Sequence, residues 1–260
     1  MFKIFKYSLY DLMRSKWLYL YLLFFMGAGF ALLYLNNDLM SGITNLMNIT
    51  ILLCPLISII FGTMYYYNSK EFVELLLAQP IKRKTILLGQ YLGLSIALSA
   101  GFFIGSLVPF LLYGLFVSTL IFDFLILILA GVFLTFIFTA ISFFISILND
   151  NKIKGFGLAI FIWLFLAFIY DGIFLLLLFV FNDYPLEAFA LSATIFNPID
   201  LSRILVILKL DSAVMLGYTG AVFSDFFGTI WGMLISAFVL LMWVITPIFI
   251  FVKIWDRKDF

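Results

Sequence analysis

The sequence predicts an all-α polytopic membrane protein. Six transmembrane helices are preceded by an amphipathic interfacial helix, with a short cytoplasmic helix between the second and third and short periplasmic helices between the fifth and sixth. Three observations predict this. Of 260 residues, 65% are hydrophobic and 11% charged, and the mean hydropathy of +1.22 lies far outside the range of soluble domains. A hydrocarbon core about 30 Å thick needs about 20 apolar residues per helix, and six stretches supply them: 17–35, 46–67, 85–116, 122–148, 155–181 and 228–252. The basic residues also segregate. Lys3, Lys6, Arg14, Lys16, Lys70, Lys82, Arg83, Lys84, Lys152, Lys154, Lys253, Arg257 and Lys258 fall on one side of these spans, and only Arg203 and Lys209 on the other. Basic loops stay inside, so the first side, with both termini, is expected in the cytoplasm of a bacterial inner membrane. Asp38, Asp123, Asp171, Asp183, Glu187, Asp200, Asp211 and Asp225 lie outside or within spans, which agrees with that orientation.

Residues 2–16 place Phe2, Phe5, Leu9, Leu12 and Met13 on one helical face and Lys3, Lys6, Tyr10 and Arg14 on another, the pattern of a helix lying on a bilayer surface. A positively charged anchor with no further role fits equally. The first apolar stretch follows four basic residues but lacks a convincing cleavage site, so it reads as an uncleaved span. The third and fifth stretches exceed the length of a straight span, which implies tilt, a kink or an extension, with Pro109 a kink position in the third.

Between the second and third spans, residues 68–84 read as a helix. Asn68 or Ser69 is placed to cap it, Glu71 and Glu74 favour its positive end, and Pro80 stops it. Phe72, Leu75 and Leu76 are expected to share a face that suits a groove on a soluble partner, or else the membrane surface. Residues 182–227 are too long and apolar for a simple loop. Asn197 caps and Pro198 opens a helix carrying Ile204, Leu205 and Leu208, expected on or dipping into the outer leaflet. A further apolar piece, 212–227, is interrupted by Gly217 and Gly220. Counting it as a seventh span would put Lys253, Arg257 and Lys258 outside, so six is the expectation.

Several chemistries are disfavoured. There is no histidine, which removes the commonest general base and zinc ligand, and the single Cys54 permits neither a disulfide framework nor a thiolate cluster. No Gly-Lys pair exists to build a phosphate-binding loop. No catalytic residue and no metal site is therefore assigned. Met26, Met47, Met64, Met215, Met233 and Met242 are scattered, which reads as apolar packing rather than a copper(I) path. Asp171 is the costly exception, an ionisable group within a span that must face protein or water. It has no second aspartate for proteolysis. A polar point beside a pathway, a hydrogen-bonding role and a site near the outer interface all remain open for it.

This architecture resembles the permease subunits of the second class of ABC exporters. YYYNSKEFVELLLAQPIKRKTILLGQYLG (65–93), GFGLAIFIWLFLAFIYD (155–171) and FNPIDLSRILVILKLD (196–211) resemble most the NosY-type permeases that serve nitrous oxide reductase maturation. The resemblance implies one transmembrane domain over 1–260 and a homodimer embedded in membrane lipid. It also implies a cytoplasmic ABC ATPase that holds the ATP and Mg, a periplasmic β-helical protein and a copper chaperone. Together these serve the copper-sulfide centre of nitrous oxide reductase. By the same likeness Glu71, Phe72, Glu74, Leu75, Leu76 and Gln79 contact the ATPase, and Asn197, Pro198, Asp200 and Arg203 contact the periplasmic partner. No cofactor binds this chain itself and no nucleic acid is involved. A general exporter permease for a lipid, peptide or drug, an intramembrane enzyme and a passive scaffold are the alternatives.

Overall fold

The computed structural model describes residues 2–181, 187–209 and 229–255. The apolar piece at 212–227 with Gly217 and Gly220, the acids Asp183, Asp211 and Asp225, Met215, and the basic Arg257 and Lys258 lie outside the described residues, as do the side chains of Glu187 and Lys209. Every described element is helical. In chain order they are α1 (Phe2–Met13), α2 (Lys16–Asn36), α3 (Leu39–Asn68), α4 (Lys70–Leu77), α5 (Arg83–Leu112), α6 (Ile121–Leu148), α7 (Lys152–Leu164), α8 (Tyr170–Val180), α9 (Glu187–Ile195), α10 (Pro198–Lys209) and α11 (Ile230–Trp255). Among the described residues six helices are long and apolar enough to cross a membrane: α2, α3, α5, α6, the joined α7–α8 rod (Lys152–Val180) and α11.

α3, α5 and α6 form the centre, with more than half of each apolar window buried, while α2, α7–α8 and α11 stand at the periphery. Small residues let these rods approach. Along α5, Gly89, Gly93, Ala97, Gly101 and Gly105 recur every fourth position, the spacing that lines one side of a helix. A Cβ at Gly89 would meet Ile4 at 2.9 Å and one at Gly93 would meet Ser8 at 2.7 Å, so α1 lies in this furrow. At Gly105 the Leu22 carbonyl oxygen of α2 would be 2.6 Å away. Phe25 and Phe102 then pack edge to face at 4.9 Å. Gly62 is likewise pressed against Ser142, and Gly131 against Phe102.

α1 departs from the expected division of faces. Its packed side is Ile4, Ser8 and Leu12, whereas Phe2 and Met13 are exposed. The helix has three sectors: one against α5, one apolar and open, and one polar with Lys3, Lys6, Tyr10 and Arg14. Only Leu12 of the expected apolar set is fully buried.

Caps explain where helices begin. The Asp38 carboxylate accepts from Ser41 N at 3.0 Å and starts α3, and that backbone bond holds its pKa below the ordinary carboxylate value. Asn151 Oδ1 accepts from Ile153 N at 2.9 Å, so the fifth span begins at Lys152. α5 stops at Leu112 although apolar residues continue to Phe116, because Gly114 adopts φ 93°, a left-handed turn that ends the helix three residues beyond Pro109. The Trp255 ring lies 6.2 Å from Tyr66, so α11 finishes at the end of the bundle that carries α4.

Candidate functional site

At that end, one residue, Ser69, separates α3 from α4. Ser69 has the cap position, but its hydroxyl donates to Tyr66 O at 3.2 Å and neither it nor Asn68 caps α4 through a side chain. α4 is instead held by packing. Val73 is its buried residue, and the Phe72 ring stacks on Tyr7 of α1 with centroids 4.9 Å apart. Leu76 and Leu77 are half-buried against the core. Lys152 Nζ donates to Asn68 Oδ1 at 3.0 Å and the Tyr67 hydroxyl to Asn149 O at 2.6 Å, tying the same junction to the α6–α7 loop.

The expected apolar face therefore splits. Phe72 and Leu76 turn inward, and Leu75, 70% exposed, turns outward with Glu71, Glu74 and Gln79. Val73, the anchor, and Tyr7, the α1 ring on which Phe72 stacks, were not singled out by sequence reading. Val73 stands three and four residues before Leu76 and Leu77, the spacing of one helix face, which is the signal that could have marked it.

The second cluster lies where α9 and α10 meet at a bend of 111°. α9 runs antiparallel to the α7–α8 rod in a ladder with one rung per turn. Asn197 Nδ2 donates to Leu166 O at 2.8 Å, the Tyr170 hydroxyl donates to Ala193 O at 2.7 Å, and the Phe174 and Phe189 rings stack at 6.2 Å. Leu166 is midway between Lys152 and Val180. Trp243, midway between Trp231 and Trp255, donates its indole N–H to Ile195 O at 3.2 Å. Two independent spans thus place the 195–198 corner near half their depth. α9 and α10 form a re-entrant hairpin with its closed end deep in the bundle, so of the two placements expected, on the outer leaflet or dipping into it, the second is found.

The rod is built to receive it. Residues Phe165–Ile169 form a π turn in which Tyr170 N bonds Phe165 O. Tyr170 N therefore does not serve Leu166 O, its regular acceptor, and the Asn197 amide does. Asn197 Oδ1 also accepts from Ile199 N at 3.1 Å, so the expected cap of α10 is made. Its Nδ2 reaches Asp200 Oδ2 at 2.7 Å. Arg203 Nη1 donates to Asp171 Oδ2 at 2.8 Å and to Asp200 Oδ1 at 3.3 Å. One guanidinium thereby joins two carboxylates from different elements, and Asp171 has the protein partner its position demanded.

Asn197 and Pro198 are buried within the chain itself, so of the four residues expected to touch a further partner only Asp200 and Arg203 keep exposed surface. The π turn, Tyr170 and Trp243 were missed. A tyrosine and a tryptophan within spans are groups that seek an acceptor when buried, which is the available clue.

Among the described residues no group of three or more His, Cys, Asp or Glu is arranged to hold a metal ion. The family model described as ABC-2 family transporter protein matches residues 3–216. None of the curated proteins matches the chain.

Proposed function

Since the chain belongs to the ABC-2 family of transporter proteins, as the membrane permease subunit of an ABC transporter with an ABC ATPase as partner, we propose that α4 is the helix on which that ATPase docks. The observation that carries this is the division of α4 into two sides. Glu71, Glu74, Leu75 and Gln79 project from the end of the bundle, while Val73 and Phe72 fasten the opposite side to the spans. A push on the exposed side has a packed route into α1 and, through Ser69, into α3. Phe72 and Leu76 act as transmitting contacts beneath the docking surface.

The orientation follows from charge. The end bearing α1 and α4 carries nearly all the basic residues, so it faces the cytoplasm of a bacterial inner membrane with both termini. The hairpin enters from the periplasmic side. ATP and Mg are held by the ATPase, and this chain contributes no nucleotide site and no catalytic group of its own.

At finer grain, the reading is a homodimeric NosY-type permease that serves assembly of the copper-sulfide centre of nitrous oxide reductase, with a periplasmic β-helical protein and a copper chaperone. Its support is the likeness of residues 65–93, 155–171 and 196–211 to those permeases. Asp200 and Arg203 are the hairpin residues with surface left for the periplasmic partner. A permease that exports a lipid, peptide or drug is the second reading, favoured by the burial of Asn197 and Pro198. It predicts that no β-helical protein is retained on purification.

The test is co-purification with the ATPase. Glu74→Arg combined with Leu75→Arg changes two exposed residues and is expected to release the ATPase from a chain that still elutes as folded protein. Retention at the native level defeats the docking assignment.

A further inference from the structure

Beside α4 the surface is cleft in a way that the docking proposal does not use. One cavity of about 450 Å³, a volume typical of small-molecule sites, opens between α1, the turn into α2, the last turn of α3 and the start of α4. Its polar lining comes from Asp11, Arg14, Asn68 and Ser69. A second cavity of about 370 Å³ shares Leu12, Ser15, Tyr65 and Asn68 with the first and is lined beyond them by Trp17, Ile60, Phe61 and Met64. Trp17 and Met64 are 62% and 41% exposed, so this second cavity is open along its side, toward where the bilayer lies. Together they make one groove, polar and charged at the helix ends and greasy along the first turn of α2 and the last turns of α3.

The geometry points to a resident phospholipid site, with a zwitterionic phosphoethanolamine headgroup in the first cavity and the start of an acyl chain in the second. Asp11 and Arg14 stand three apart on α1, which separates their Cβ atoms by about 5–6 Å. A guanidinium matches a phosphate through paired N–H donors, and a primary ammonium brings three donors to a carboxylate. One carboxylate beside one guanidinium fits a headgroup that carries both charges. A lipid with net negative charge would set its excess against Asp11, and a choline headgroup has no N–H to give it. The apolar part ends at Ile60, about two turns from Asn68, so it grips one lipid in place and does not conduct it across. A headgroup there touches Ser69 and Phe72 at the root of α4.

Native mass spectrometry of the purified, delipidated chain in detergent tests the site, with phosphatidylethanolamine, phosphatidylcholine and phosphatidylglycerol added separately. One phosphatidylethanolamine per chain is expected, at least tenfold tighter than the other two. Arg14→Glu, at an exposed position, is expected to weaken it tenfold or more, and Met64→Trp to displace it by filling the greasy end. Lys3→Glu, on another part of α1, is expected to leave it unchanged. Helix content and elution volume report that each variant is folded. Equal uptake of the three lipids, a preference for phosphatidylglycerol, or an Arg14→Glu chain that behaves like Lys3→Glu overturns the site. The measurement uses this chain without its ATPase, so the docking proposal can fail while this one stands.

Discussion

Asn197 uses three hydrogen bonds at a depth where water is scarce: to Leu166 O, to Asp200 and from Ile199 N. Replacing it with leucine leaves the Leu166 carbonyl and the α10 start without partners, each an unsatisfied buried group costing about 1–3 kcal/mol. Asn197→Leu is expected to lower the thermal unfolding midpoint in detergent by several degrees, measured beside Asn197→Gln as the closest amide. Arg203 is more exposed, which weakens its pairs, yet Arg203→Ala leaves Asp171 and Asp200 as facing carboxylates. That variant is expected to unfold earlier at neutral pH and to recover part of the loss when either acid is changed to its amide. The cost of Asp171 was legible in the sequence because an acid within an apolar run is conspicuous. Its partner was not, because Arg203 stands on another helix and reaches Asp171 only if the hairpin dips.

α5 shows how little side chain a helix needs to organise its neighbours. Its glycines receive α1 and α2 so closely that the nearest atom to a Cβ at Gly105 would be a backbone oxygen, which cannot rotate away. Gly105→Leu is therefore expected to leave little folded protein by fluorescence-detected chromatography. Gly157→Leu, where nothing lies within 4 Å, is expected to express at the native level. Other rods carry internal flaws: Pro55 within α3, Pro247 within α11 and the π turn within the fifth span. At the π turn Asn197 serves the freed Leu166 O, and beside Pro55 Trp163 Nε1 donates to Leu52 O at 3.2 Å, one residue past the Ile51 carbonyl that the proline leaves without its regular donor. The existence of these helices was readable from apolar length alone. The packed side of α1 was not, since hydrophobicity in a membrane protein marks contact with lipid as readily as contact with protein, and here the small Ser8 faces α5 while Phe2 faces out.

For the molecule as a whole, orientation can be read chemically because its one thiol, Cys54, is buried. A membrane-impermeant maleimide applied to intact cells is expected to label Val117→Cys, at a site 94% exposed on the turn after α5, and to spare Lys6→Cys on α1 until the membrane is opened. Labelling in the reverse order would invert the orientation and place α4 beyond reach of an ATPase. Six spans were legible in the sequence, and so was a helical outer segment on or dipping into the outer leaflet, but how far it dips was hidden because depth depends on carbonyls that other helices leave unsatisfied. That depth bears on biogenesis. The hairpin arms have 9 and 12 residues, each too short to be threaded through a bilayer as a span, and their corner binds Leu166 from a helix already made and Trp243 from one not yet translated. The seat of this plug is therefore complete only once α11 has been synthesised, so a segment at 187–209 gains its full set of contacts only after a later span is in place.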